Sequence, residues 1–247
     1  MIRGLYSAAS GMMAEAERID VISNNLANVN TTGFKKDVPV TKEFAEILIT
    51  RVNDGTNNPA VGEMGTGVIV DEVATVHAPG TLRTTGNDFD LAIEGKGFFA
   101  VQTPQGVRYT RNGTFARSSR GELVTGDGYR VLGENGPIVI NGNKMTVSDD
   151  GRVLVDDAEV GRLRLRDFGN EKQLSKEGAS LYVAAPGQQG QAFSGSVRQG
   201  MLESSNVNVI SEMVNMIANY RNYEINGKVV QAHDQLLGKA ANDVGKV

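Results

Sequence analysis

Glycine and proline, the residues that punctuate regular structure, are concentrated in the middle of this chain. Of 30 glycines in 247 residues, 24 fall between Gly55 and Gly200, and five of the six prolines lie in the same stretch. Residues 1–35 and 205–247 hold three glycines each and no proline. Both residue types interrupt helices and favour turns, so the chain divides into two helix-compatible ends and a turn-rich middle.

The ends carry a helical period. Ile2, Leu5, Ala9, Met12, Ala16, Ile19 and Leu26 step by three and four, broken only by Ser23. This spacing predicts a heptad seam, stopped near Gly33 in the run Asn30-Thr31-Thr32-Gly33. At the other end Met213, Met216, Tyr220, Tyr223, Val230 and Leu237 keep the same rhythm, and Ile210, Val214 and Ile217 widen the stripe. Asn206 or Asn208 is placed to cap the start of that helix. One such stripe reads as an amphipathic helix on its own core. Two of them, flanking a different kind of domain, point to pairing with each other or with other chains. Gly227 falls inside the second helix, where glycine costs about 1 kcal/mol relative to alanine. It suggests a kink or a close helix crossing.

The middle reads as β. Gly67–Val70, Phe98–Val101, Gly128–Leu132, Pro137–Ile140 and Arg162–Leu165 are short apolar runs between turn signals. Asn112-Gly113, Asn135-Gly136 and Asn141-Gly142 have the form of two-residue hairpin turns, with Asp127-Gly128 and Asp150-Gly151 as weaker members. Many short strands with frequent turns imply an antiparallel sheet. Residues 36–79 read as an extended connector, with a short helix over Lys42–Val52 followed by the polar run Asn53–Pro59. The expected fold class is α+β. Its N- and C-terminal helices (1–35 and 205–247) pair as a coiled-coil-like domain, and an antiparallel all-β domain (80–204) is inserted between them.

Composition narrows the chemistry. Cysteine is absent, which excludes disulfides, thiol nucleophiles and Cys-based metal sites. The only histidines, His77 and His233, lie far apart and read as packing or surface residues. With 25 Lys plus Arg against 29 Asp plus Glu, the chain has no overall basic character for nucleic acid. Gly95-Lys96-Gly97-Phe98-Phe99-Ala100 has the letters of a dinucleotide loop, but a strand-like run follows where a helix is required. Asp88 and Asp90 form a close carboxylate pair, and they read as turn-capping groups. We expect no catalytic residues, no cofactor and no metal site. No run approaches the ~18 apolar residues of a membrane span, and the N-terminus lacks the apolar core of a cleaved signal peptide.

The run Ser23-Asn24-Asn25-Leu26-Ala27-Asn28-Val29-Asn30-Thr31-Thr32-Gly33-Phe34-Lys35 resembles the N-terminal signature of the bacterial flagellar rod and hook proteins. Gly200–Val209, with Met213–Ile217 and Tyr223-Glu224, resembles the signature at the other end of that family. Asp88–Phe99 and Tyr109–Phe115 are similar to its central β-domain. The four motifs occur in the right order across nearly the whole chain.

The resemblance implies a non-enzymatic axial subunit of the flagellar basal body. Its terminal helices would form an inner tube and its β-domain an outer layer. It would be exported by the flagellar type III apparatus without signal cleavage, and its partners would be copies of itself and neighbouring rod and hook proteins. The residues expected to mediate assembly are Leu5, Met12, Ile19, Asn24, Asn25, Leu26, Asn28, Gly33, Phe34, Asn206, Asn208, Met213, Ile217 and Tyr220. The length and C-terminal ending favour a proximal rod subunit. The alternatives are a distal rod or hook-type subunit and, from other classes, a periplasmic β-domain binding module or a peptidoglycan hydrolase.

Overall fold

The computed structural model describes residues 2–50, 60–188 and 190–244. The chain forms two compact units. One gathers residues 1–26, 37–74 and 208–247, and the other residues 27–36 and 75–207.

The first unit is built from two long helices and a two-stranded ribbon. Helix α1 spans Ile2–Ala27 and helix α2 spans Val209–Val244. The Asn208 carboxamide accepts a hydrogen bond from the Ser211 amide at 3.1 Å, so Asn208 is the residue that caps α2. α2 continues through Gly227 as helix. A side chain at Gly227 would meet only the Met12 methyl, at 3.9 Å, so this position is no close crossing. The strands β1 (Asp37–Thr50) and β2 (Ala60–Thr75) pair with each other. The helix expected over Lys42–Val52 is therefore strand as far as Thr50, and residues 51–59 lie outside the described residues. Ile47, Ile49 and Thr50 are β-branched, and strand pairing overrides the modest helix propensity of Lys42, Glu43 and Ala45.

Among its described residues the second unit is β and loop apart from one turn of 3₁₀ helix at Glu171–Gln173. Its largest sheet runs in the order Ser175–Glu177, Leu181–Val183, Gly106–Thr110, Phe98–Thr103, Arg130–Gly133, Leu123–Thr125 and Phe115–Arg117. Neighbours are antiparallel. A three-stranded sheet (Met145–Val147, Arg152–Val155, Ala158–Arg162) and two small strand pairs complete it. Adjacent residues of a strand point to opposite faces. Phe99 accordingly joins the main core with Leu91, Val101, Leu123, Val131 and Val153, while Phe98 joins Phe168, Leu174 and Tyr182 in a second core.

The turn signals were realised unevenly. Asp127-Gly128 and Asp150-Gly151 join strands that do pair, with Gly128 and Gly151 at positive φ of 84° and 83°. Strand pairing also closes around Asn135-Gly136, where Gly136 faces Gly133. Asn112-Gly113 and Asn141-Gly142 are not hairpins: the strands on either side of each pair elsewhere. Their glycines answer to crowding. A Cβ on Gly113 would lie 1.5 Å from the Leu91 carbonyl oxygen, and one on Gly142 would lie 2.2 Å from an Asp156 carboxylate oxygen.

Candidate assembly site

Within the first unit, α1 and α2 run antiparallel. A Cβ at Gly4 would meet the His233 ring at 2.8 Å, one at Gly11 would meet the Asn226 carboxamide at 3.0 Å, and Gly227 faces Met12. β1 and β2 also touch α1. Arg18 donates to the Thr41 hydroxyl at 3.3 Å, and the Val68 amide donates to the Ser10 hydroxyl at 3.3 Å. With cover from two directions, α1 buries Ala8, Ala14, Ile22 and Asn25. The expected seam residues Leu5, Met12, Ile19 and Leu26 lie beside that line and are half-buried. The side chain of Ile2 lies outside the described residues. Asn24 is exposed. Asn25 is fully enclosed: its carboxamide donates to the Asp37 carbonyl at 2.8 Å and accepts from the Asp37 amide at 2.9 Å. It holds the first residue of β1 as a neighbouring strand would.

α2 is covered along one line and open along another. Met216, Asn219, Tyr223, Asn226, Val230, His233 and Leu237 are half-buried, and the one fully buried side chain described in this helix is Glu212. The opposite face shows Ile210 (75 % exposed), Val214 (60 %), Ile217 (57 %) and Tyr220 (57 %), with Met213 beside them. On α1, Tyr6 and Met13 are likewise exposed, a heptad apart. Solvent-facing helix positions are ordinarily polar. A contiguous aliphatic and aromatic face of this kind marks an interaction surface.

In the second unit the N-terminal signature closes onto the β structure. Gly33, at φ 68°, sits so close to the Arg111 backbone that a Cβ would meet it at 2.5 Å. The Gly33 amide donates to the Glu203 carbonyl at 2.8 Å. Phe34 is fully buried under the Lys176 ammonium, which lies 3.9 Å from its ring centroid. Asn28 is half-buried, and its carboxamide oxygen accepts from the Thr31 hydroxyl at 3.1 Å. Asn206 does not cap a helix. It donates to the carbonyls of Val76 (2.8 Å) and Ala78 (3.1 Å) and accepts from the Lys36 amide (2.8 Å), binding three segments.

Residue patterns did not point to the charged centre of this closure. Lys35 donates to Glu203 Oε1 at 2.6 Å and to the Ala78 carbonyl at 2.9 Å, and both charged side chains are 1 % exposed. The Gly80 amide adds a bond to the same oxygen at 2.8 Å. Arg111, also buried, stands 3.6 Å from Glu203 Oε2, donates to the Ile93 and Gly95 carbonyls and lies over the Phe98 ring. Burial lowers the Lys35 and Arg111 pKa values, with Glu203 opposing the shift in both cases. Burial raises that of Glu171. Two cations therefore share one carboxylate. No periodicity or motif brings together three residues at positions 35, 111 and 203. The quoted signature runs contain all three, one in each of three runs, without marking them as partners.

The remaining candidates for chemistry have structural partners. Asp90 accepts from Thr85 at 2.7 Å and Asn87 at 3.2 Å, capping its own turn, while Asp88 is exposed. Gly95 and Gly97 lead into a strand rather than a helix. His77 packs against Phe98 and Tyr182. Among the described residues no group of acids and histidines could hold a metal, and no helix is long and apolar enough to cross a membrane.

A chain whose two ends pair as antiparallel helices, and whose middle folds as an all-β body closed by the N-terminal signature, is of the helix-flanked β class. Three family models match it in order: flagella basal body rod protein over residues 5–35, flagellar hook protein FlgE/F/G D1 domain over 92–155, and flagellar basal body rod FlgEFG protein C-terminal over 198–243. The flagellar basal-body rod protein FlgG of Bacillus subtilis is 35 % identical, covering 98 % of this chain and 99 % of the relative. FlgG of Borreliella burgdorferi is 38 % identical with 98 % of each covered. The flagellar hook-basal body complex protein FlhO of Bacillus subtilis is 33 % identical over the whole of both chains. The chain belongs to the flagellar basal-body rod protein family.

Proposed function

We propose that this protein is a structural, non-enzymatic subunit of the flagellar basal-body rod that self-assembles through its terminal helices into the tubular shaft. The observation that carries this reading is the apolar face of α2 at Ile210, Val214, Ile217 and Tyr220, which nothing among the described residues covers. In this reading copies of the same chain and neighbouring rod and hook proteins cover it. Residues 1–35 and 205–247 form the inner axial layer, 36–79 the connector and 80–204 the outer β body. Leu5, Met12, Ile19, Asn24, Asn28 and Leu26 contribute from the first helix and its exit, and Asn208, Met213, Ile217 and Tyr220 from the second. Gly33, Phe34, Asn25 and Asn206 act by fixing where the helices begin and end. The chain reaches the basal body through the type III apparatus.

The test uses Ile217→Asp and Leu26→Asp in cells lacking the native copy. A carboxylate placed among apolar neighbours costs its desolvation. Both variants are expected to be made and exported with a native β-unit melt, and to leave cells non-motile without complete basal bodies. Cells that swim normally would refute the reading. Localising the native chain within purified basal bodies decides between a proximal position in the rod and a distal one.

A further inference from the structure

The contact between α1 and α2 has an unusual composition. Gly4 faces His233, and Gly11 faces Asn226, seven residues along on each helix. Extending that alignment by heptads places Arg18 opposite Asn219 and Asn25 opposite Glu212. All eight are half-buried or buried, and Asn25 and Glu212 are among the most enclosed residues of the unit. One of the two heptad positions that make the contact is thus filled by polar side chains on α2. On α1 it is filled by glycine near the N-terminus and by polar groups further on. The other position is largely apolar: Ala8 and Ile22 on α1, with Met216, Tyr223, Val230 and Leu237 on α2.

We propose that this polar ladder fixes the register at which α1 and α2 pair. An apolar seam repeating every seven residues is indifferent to a slide of one heptad, about 10.5 Å at 1.5 Å per residue. A polar group in a seam is not indifferent, and specifies alignment at a cost in stability. The observed alignment is the only one that seats all four polar positions of α2 opposite the four ladder positions of α1. A slide of one heptad either way seats three. Bulk acts in the same direction. The His233 ring and the Asn226 carboxamide occupy space that a Cβ on Gly4 or Gly11 would enter. The register in turn sets how far along α1 each residue of α2 lies, so the ladder determines the height at which Ile210, Val214 and Ile217 are presented. The inference concerns pairing within one chain and stands whether or not the chain assembles.

The absence of native cysteine makes the test direct. Three double-cysteine forms of the full chain, Ala8→Cys with Val230→Cys, Tyr223→Cys or Leu237→Cys, report the observed register and slides of one heptad in each direction. In dilute protein under mild oxidation the 8/230 pair should close at least about tenfold more than either slid pair, the equivalent of ~1.4 kcal/mol. In the background Asn219→Ala, Asn226→Ala, His233→Ala, which removes three of the four polar groups without adding bulk, the slid pairs should rise to within about threefold of 8/230. Gly11→Leu, which keeps the polar groups but fills one notch, should also depress the 8/230 yield. Slid pairs closing readily in the native background would overturn the proposal, as would an unchanged 8/230 preference after the triple substitution. Loss of all three crosslinks in the triple variant would also overturn it, by showing that the ladder holds the helices together rather than aligning them.

Discussion

The two units bury their apolar residues to very different degrees. In the β unit Leu91, Phe98, Phe99, Val101, Leu123, Val131 and Val153 have no exposed surface at all. In α2 the single fully buried side chain described is the charged Glu212, while Ile210, Val214, Ile217, Tyr220, Ile225 and Leu236 are each more than half exposed. Similar residue types therefore do different work. In the β unit they supply the burial that stabilises one chain, at ~25 cal/mol per Å² of apolar surface removed from water. In α2 they remain available for burial by something else. A protein that folds one part by itself and leaves another apolar has divided its hydrophobic surface between folding and association.

The largest effect on that division should come from the charged centre of the β unit. Glu203→Ala leaves Lys35 and Arg111 buried without their carboxylate. Breaking a buried pair on one side ordinarily costs about 3–5 kcal/mol. Urea unfolding of the full chain, followed by the tyrosine near-ultraviolet signal to which the enclosed Tyr182 contributes, should shift by that amount. A loss below about 1 kcal/mol would mean that the closure of the signature onto the β unit adds little to its stability.

Next in size are two glycines of the β unit that are alike in sequence and unlike in structure. Gly113→Ala drives a Cβ into the Leu91 carbonyl, at an ideal separation of 1.5 Å. The backbone must move, and a loss of at least about 2–3 kcal/mol is expected. Gly128→Ala meets nothing within 4 Å and is opposed only by its left-handed backbone at φ 84°. That conformation costs about 1–2 kcal/mol. Thermal melts of the two variants should fall in that order, and the reverse order would break the distinction between crowding and conformation.

These glycines also show what could be read from the residues alone. The helices at both ends, the antiparallel β middle and the cap at Asn208 were legible, because each rests on local periodicity or local hydrogen bonding. Asn-Gly and Asp-Gly both announce a positive φ, and the sequence favoured the former as hairpins. Yet of the Asn-Gly pairs only Asn135-Gly136 lies where strand pairing closes; Gly128 and Gly151 make the other tight turns, while Gly113 and Gly142 are glycines because distant residues crowd them. The heptad period of α1 was legible. Its phase was not, since the buried line runs through Ala8, Ile22 and Asn25, one position to the side of the most apolar residues. The small residues allow close approach by α2, a benefit that hydrophobicity does not register. The Lys35–Arg111–Glu203 cluster was illegible in principle, being assembled from three separate parts of the chain.

A smaller effect is expected from pH. Burial holds the Lys35 ammonium below its ordinary pKa of 10.5, with Glu203 only partly offsetting it. Between the lowered folded value and the unfolded one the folded chain binds fewer protons than the unfolded chain. Raising pH through that window therefore favours the folded state. Other groups titrate there as well, so the useful quantity is the stability of the native chain minus that of Lys35→Met, measured by urea unfolding. That difference should move in favour of the native chain as pH rises from about 8 to about 10. A flat difference would show that Lys35 titrates as an ordinary lysine despite its enclosure.

The smallest effect on folding should come from α2, and it tests the comparison most sharply. Val214 and Ile217 are 60 % and 57 % exposed. Replacing both with serine removes two aliphatic side chains, which in the β core would cost several kcal/mol. At the outward face of α2 the folded chain already leaves them in water, so the stability of the dilute chain should change by less than about 0.5 kcal/mol. Serine, valine and isoleucine differ in helix propensity by at most a few tenths of a kcal/mol, which sets the floor of the measurement. Self-association tells a different story, because there the same two side chains are buried between molecules. Sedimentation of the native chain should show larger species as concentration is raised, and Val214→Ser with Ile217→Ser should remove them at the same concentrations. If instead the double variant lowers the melt of the dilute chain by several kcal/mol, the outward face is part of an internal core in solution. The apolar surface of α2 would then belong to folding, as that of the β unit does.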